Sequence, residues 1–216
     1  MNITLTNLQY EVENEIGYLY LNGASGNKMT TAFLREICSV FEEVIFKDNI
    51  KGLIILGKGR HFSSGADVDQ LIQNVVDKSI ISEGDVVGIP SWVVQIKEVF
   101  NSVAKLNIPV VTGVSGFCIG SGLELALTGS IRICAEGSVI GFPESGFGLL
   151  PGASGTYRSM ELIGMSNSME MVLSGEFIDA KKAVELGLFH KTCGKKEVRT
   201  ACEQELSKVL ADTCNQ

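Results

Sequence analysis

The chain has 216 residues, a formal net charge of −7, and 45% apolar against 20% charged residues. That size and composition suit one domain, or a domain with a short appendage, with a sizeable core. The acidic balance excludes a nucleic-acid binder and a polybasic membrane surface; with no leader-like or membrane-length apolar run, a cytoplasmic protein is expected.

Residues 8–13 and 16–21 are rich in β-formers and flank Glu13-Asn14-Glu15, which predicts an antiparallel hairpin. Asn22–Lys28 is a polar, glycine-bearing loop. Thr30 or Thr31 then caps a helix whose apolar positions run from Phe33 to Ile45 at helical spacing. Leu53–Leu56 is a short buried strand. Gly57–Asp67 is a second small-residue loop, with Asp67 as N-cap of a helix over Val68–Val76. A loop is expected over 77–91, and a helix over Trp92–Leu106. Val110–Gly113 is a strand, predicted to pass through Gly116–Gly122 straight into the helical Leu123–Leu127. Ile131–Ala135 and Val139–Phe142 are further strands, and Pro143–Ser154 is a third small-residue loop. Short helices follow over Tyr157–Ile163, Met165–Leu173 and Asp179–Leu186. Gly187-Leu188-Phe189 is a strand or turn, and a last helix starts at Val198. The fold class is α/β or α+β, with helices covering a sheet.

The six cysteines form no CxxC pair, and Cys38, Cys118 and Cys134 sit among apolar neighbours, as buried thiols of a reducing compartment do. His61 and His190 lack neighbouring ligands, so no metal site is expected. His61 reads as a loop residue and Arg132 as structural. The glycines complete neither a dinucleotide fingerprint nor a P-loop, and there is no G-x-S-x-G elbow.

Three loops share a pattern: Phe62-Ser63-Ser64-Gly65-Ala66-Asp67, Gly120-Ser121-Gly122-Leu123-Glu124 and Phe142-Pro143-Glu144-Ser145-Gly146. With Leu150–Thr156 and the Ser174-Gly175-Glu176…Gly187-Leu188 run, they resemble the enoyl-CoA hydratase/isomerase (crotonase) superfamily, from the Ile16 strand to about Thr192. The resemblance implies a crotonase/ClpP-like spiral of ββα units over residues 1–192, with a short helical segment over 193–216. It implies acyl thioester substrates and no separate cofactor, coenzyme A being part of the substrate. Backbone N–H groups of Ala66 and Ser121 would form an oxyanion hole, where preorganised donors stabilise an enolate-like thioester. Glu124 and Glu144 stand where hydratases of the family carry their two catalytic glutamates. Taken alone, Glu124 would read as a surface residue and Glu144 as a turn carboxylate, although Leu123, Leu125, Ala126 and Leu127 are unlike a solvated face. Ser64, Gly65, Gly120 and Gly122 fall in the substrate-binding loops. Phe117, Ile119, Leu149 and Leu150 line either an acyl pocket or the core, and Trp92, Val93 and Ile96 flank the acyl tail by resemblance.

Three departures stand out. Asn22 is followed by Gly23-Ala24 where relatives usually have Arg-Pro, and Asp69 occupies a slot that is basic in relatives. Lys28 and Lys58 are substitutes for contacts to CoA phosphates, and an acyl-carrier-protein thioester is an alternative substrate. Ser121 stands where many relatives have glycine. The stretch after Leu188 has room for one helix, whereas relatives carry several that close the site and support a trimer or hexamer. The function expected is hydration of a 2,3-unsaturated acyl thioester. Double-bond isomerisation is the alternative within the same site, and a non-catalytic scaffold subunit is the alternative of another class.

Overall fold

The computed structural model describes residues 2–70 and 91–214. A mixed α/β fold forms around two sheets. The larger has seven strands in the order β1-β2-β3-β4-β5-β7-β10, and the smaller has the order β6-β8-β9. β1 (Asn2–Thr4), β2 (Leu8–Glu13) and β3 (Ile16–Leu21) pair antiparallel. The predicted hairpin turns through Asn14 and Glu15, both at positive φ (51° and 66°), as a two-residue turn matched to strand twist requires.

From β3 onward the large sheet is parallel. β4 (Gly52–Gly57), β5 (Val110–Val114), β7 (Ile131–Ala135) and β10 (Lys191–Cys193) follow, each reached by a crossover. β4 is apolar along its length because both faces are covered, the pattern of a central parallel strand. On one face lie α1 (Thr31–Glu43), α2 (Ser91–Val103), α3 (Ser121–Ala126) and α4 (Gly155–Ser174), packed around Phe33, Phe41, Phe62, Phe100 and Phe142. The other face is covered by α6 (Val198–Cys214), whose Val198, Ala201, Cys202 and Leu206 meet Tyr18, Tyr20, Ile54, Val111 and Ile133. Arg199 secures that packing through Tyr20, Glu13 and Glu203, and its guanidinium lies 4.6 Å from the centre of the Tyr18 ring.

Thr30 caps α1 through Phe33 N, and Gly164 breaks α4 where expected (φ 77°, ψ 162°). The helix predicted from Val68 begins there; the rest of it, and residues 77–90 of the loop expected over 77–91, lie outside the described residues, while Ser91 belongs to α2 and not to that loop. Arg132 is buried and structural, its guanidinium donating to the carbonyls of Leu188 and Gly129.

The structure departs from the sequence expectation at four short strands, the first of them β1. The chain does not pass directly from β5 into α3: it turns at Gly116, makes β6 (Phe117–Ile119) and only then enters the helix, so this stretch joins the two sheets. β8 (Val139–Gly141) pairs with an unforeseen β9 (Phe177–Asp179), just before α5 (Ala180–Glu185). Residues 187–189 take the turn, one of the two forms expected for them, and an unforeseen strand follows at β10. Each missed strand has three residues, too few for an alternating pattern to register.

Candidate active site

Glu124 sits on α3, one turn from its start, in a helix that is otherwise apolar. That setting buries it, leaving 3% of its surface exposed. Its Oε1 accepts from Ala153 N at 2.7 Å and Gly155 N at 2.8 Å. Burial raises its pKa to about 7 against the pull of those two donors, and the nearby Glu144 charge adds to the rise. Glu144 lies in a single 3-10 turn opened by Pro143. Burial also raises its pKa to about 7. Its Oε2 is buried with no hydrogen-bond partner among the described residues.

Gly120 brings the loops together. It lies at φ 53°, ψ −129°, a conformation that L side chains disfavour. A Cβ on it would stand 2.9 Å from Glu144 Oε1 and 3.8 Å from the Gly65 Cα. The Glu144 carboxylate, the Gly65-Ala66 loop and the start of α3 therefore meet at one point. Ser121 is the first residue of α3, so its N–H has no partner within the helix. Ala66 forms an isolated parallel bridge with Met29. Met29 N donates to Gly65 O at 2.8 Å and Asp67 N donates to Met29 O at 3.2 Å, which turns the intervening Ala66 N–H to the opposite side.

Gly122, expected in the substrate loops, is buried, and a Cβ there would lie 2.5 Å from Ser63 Cβ. Ser64 Oγ donates to Ser25 O, and Asp67 caps the next helix through Gln70 N at 3.4 Å. Lys28 pairs with Asp67 at 3.7 Å, while Lys58 donates to Gln9 and lies over the Tyr20 ring, so each of these expected phosphate substitutes has a protein partner. His61 accepts from Phe117 N and stacks on the Phe117 ring, 4.5 Å between centroids. Phe117, Leu149 and Leu150 are 41%, 40% and 63% exposed, which removes core packing as their role. Ile96 is buried; the side chains of Trp92 and Val93 lie outside those described.

Two residues that shape the site had not been singled out. Asn27 is buried in a left-handed conformation (φ 59°), and its Nδ2 donates to the carbonyls of Lys58, His61 and Phe62. Its own carbonyl accepts from Ser63 Oγ, which in turn accepts from Gly65 N. Asn27 thereby sets the loop that carries Ala66. The sequence signal was an asparagine in a Gly/Ser loop, a residue type that tolerates left-handed backbone. Arg158 is the second. It is buried on α4, donates to Phe100 O and Asn101 Oδ1, and places a positive charge near Glu124.

Residues 11–214 match the sequence profile of the enoyl-CoA hydratase/isomerase family. The chain belongs to that family. Among curated members, the fatty acid oxidation complex subunit alpha of Idiomarina loihiensis is 34% identical over 172 residues, 77% of this chain. This chain spans only 23% of that relative's length. An enoyl-CoA hydratase structure from Geobacillus kaustophilus superposes with a TM-score of 0.84 at 25% identity, covering 97% of this chain and 76% of that one. A Thermobifida fusca chain solved in complex with CoA gives a TM-score of 0.80 at 26% identity, covering 95% and 79%. The fold is that of the crotonase superfamily, and the chain is an enoyl-CoA hydratase/isomerase homologue. No helix among the described residues is long and apolar enough to cross a membrane.

Proposed function

We propose that this family member is a hydratase that adds water reversibly to a 2,3-unsaturated acyl thioester. The reading is carried by two carboxyls, both raised to about 7 by desolvation and near enough for one charge to act on the other, with Glu144 set against the Gly120 turn beside two backbone donors. Near neutral pH such carboxyls are partly protonated, so each can take or give a proton. The thioester oxygen would accept from Ala66 N–H and Ser121 N–H, which stabilise the negative charge that develops as C2 becomes enolate-like. Glu124 takes a proton from water as its oxygen bonds to C3. Glu144 gives a proton to C2, and the thioester carbonyl reforms. The product carries OH at C3 and the new hydrogen at C2. The substrate itself supplies coenzyme A, and no separate cofactor enters the scheme. Gly65 and the carbonyl of Ser64 would hold the CoA end, while Phe117 and Leu149, exposed in the single chain, would face the acyl chain or a neighbouring subunit. A homotrimer or hexamer in the cytoplasm is the assembly proposed, supported by the exposed Tyr157, Met165 and Leu173 of α4. The test is hydration of crotonyl-CoA by the full chain and by Glu144→Gln; equal rates in both would sink the assignment.

One observation favours double-bond isomerisation as a second reading. Glu124 Oε1 is already occupied by two N–H groups, whereas no protein group donates to Glu144 Oε2 among the described residues. A single mobile carboxylate suffices to move a proton between C2 and C4. Isomerisation of a 3-enoyl-CoA that survives Glu124→Gln would select this reading.

A further inference from the structure

α4 begins in an unusual way. Serine is a preferred N-cap, and an N-cap normally takes extended backbone so that its side chain can accept from the first turn. Ser154 holds the N-cap position of α4 at φ 79°, ψ 16°, and its side chain caps nothing. A non-glycine residue at positive φ is uncommon and costs free energy, so something must hold it there. What the conformation achieves is visible on either side: Ala153 N and Gly155 N both point to Glu124 Oε1. Gly155 is equally constrained, because a Cβ there would stand 2.7 Å from Glu124 Cγ and 2.8 Å from Phe142 Cε1. The side chain that caps α4 is therefore Glu124, from another helix.

We propose that Ser154 is a positioning residue for Glu124: its left-handed turn presents two N–H groups that fix Oε1 and leave Oε2 as the one oxygen for proton transfer. The inference deepens the catalytic reading above and rests on it for its chemical meaning. The serine hydroxyl has no part in the device; only the backbone conformation does. The charged groups that act on Glu124 are Glu144, from the 143–147 turn, and Arg158, from α4 itself.

The test measures Glu124 directly, by carbon-13 titration of glutamate carboxyls in the full chain, with Glu124→Gln to assign the signal. Ser154→Val, a β-branched residue that resists positive φ, should release the two donors. Donors to a carboxylate lower its pKa, so their loss moves the Glu124 titration upward, by about one pH unit. Ser154→Gly and Ser154→Asn, which accept the left-handed turn, should titrate as the parent does. A parallel profile of crotonyl-CoA hydration should show the acid limb of Ser154→Val displaced upward, with about a tenfold deficit below it, and rescue by glycine. A merely structural role would lower the rate evenly across pH. If Ser154→Val does not fold by near-ultraviolet circular dichroism, Ser154→Ala takes its place with the same readouts. An unmoved titration in the valine or alanine variant, or an equal shift in the glycine variant, overturns the proposal. Failure of the parent to hydrate crotonyl-CoA would sink the proposed function while leaving the titration result standing.

Discussion

Glu124 and Glu144 reach the same raised pKa from opposite surroundings. Glu124 is almost fully buried yet supplied with two short donors on one oxygen. Glu144 is less buried, but its Oε2 has no protein donor among the described residues. Desolvation dominates in both; what differs is hydrogen bonding. One carboxylate is fixed by the backbone of another element. The other sits on a single 3-10 turn, with one oxygen that no protein group donates to among the described residues. Two acids of similar strength can thus divide the work of a site by how firmly they are held.

The largest expected effect breaks the pair. Glu144→Gln should lower hydration by about 10³-fold in kcat, because general acid–base catalysis of this kind is lost outright. Glu124→Gln should fall comparably if the fixed carboxylate activates water, and stay near the parental rate if the site only shifts double bonds. The assay is crotonyl-CoA hydration beside 3-enoyl-CoA isomerisation. Next in size is the donor that both acids serve. Ser121→Pro deletes one N–H at the first helical position, where proline is tolerated. A loss of about 10²-fold in kcat with an intact circular dichroism spectrum is expected. Asn27→Ala removes three donations to the loop that carries Ala66. It should lower stability by about 2 kcal/mol in urea denaturation and depress kcat through the loosened loop.

The smallest effect sharpens the contrast through pH. A carboxyl whose folded pKa is raised from 4.5 to about 7 keeps its proton in the native state after the unfolded chain has released it. Stability therefore falls as pH rises through that window, and the penalty is complete above about 7. Glu144→Gln removes this penalty. It should be more stable than the parent at pH 8, by on the order of 1 kcal/mol, with the difference vanishing near pH 4. Glu124→Gln should gain less, because it also weakens two charge-assisted bonds. A larger gain for Glu124→Gln would reverse the comparison.

Much of this was legible in the sequence, for identifiable reasons. The hairpin, the long helices and the central strands announce themselves by period and by capping residues such as Thr30 and Asp67. The three loops were legible because residues with special backbone needs recur beside acids at set spacings. Gly120 is the example: its positive φ and its closeness to Glu144 both require glycine. β1, β6, β9 and β10 escaped because three residues carry no period. Asn27 and Arg158 escaped because their roles depend on burial and on partners far along the chain: the Asn27 acceptors lie over 30 residues away and those of Arg158 nearly 60. Ser154 escaped because serine before a helix suggests the cap it does not make.

The packing of α6 has a consequence for biosynthesis. Arg199 meets Tyr20 across 179 residues of chain. At 5–20 residues per second, the strand that α6 covers waits on the order of ten to forty seconds for its partner to be made. Through that interval Tyr18 and Tyr20 have no α6 to pack against. Within this domain, the order of synthesis therefore brings the layer over that face of the sheet in after the strands it covers.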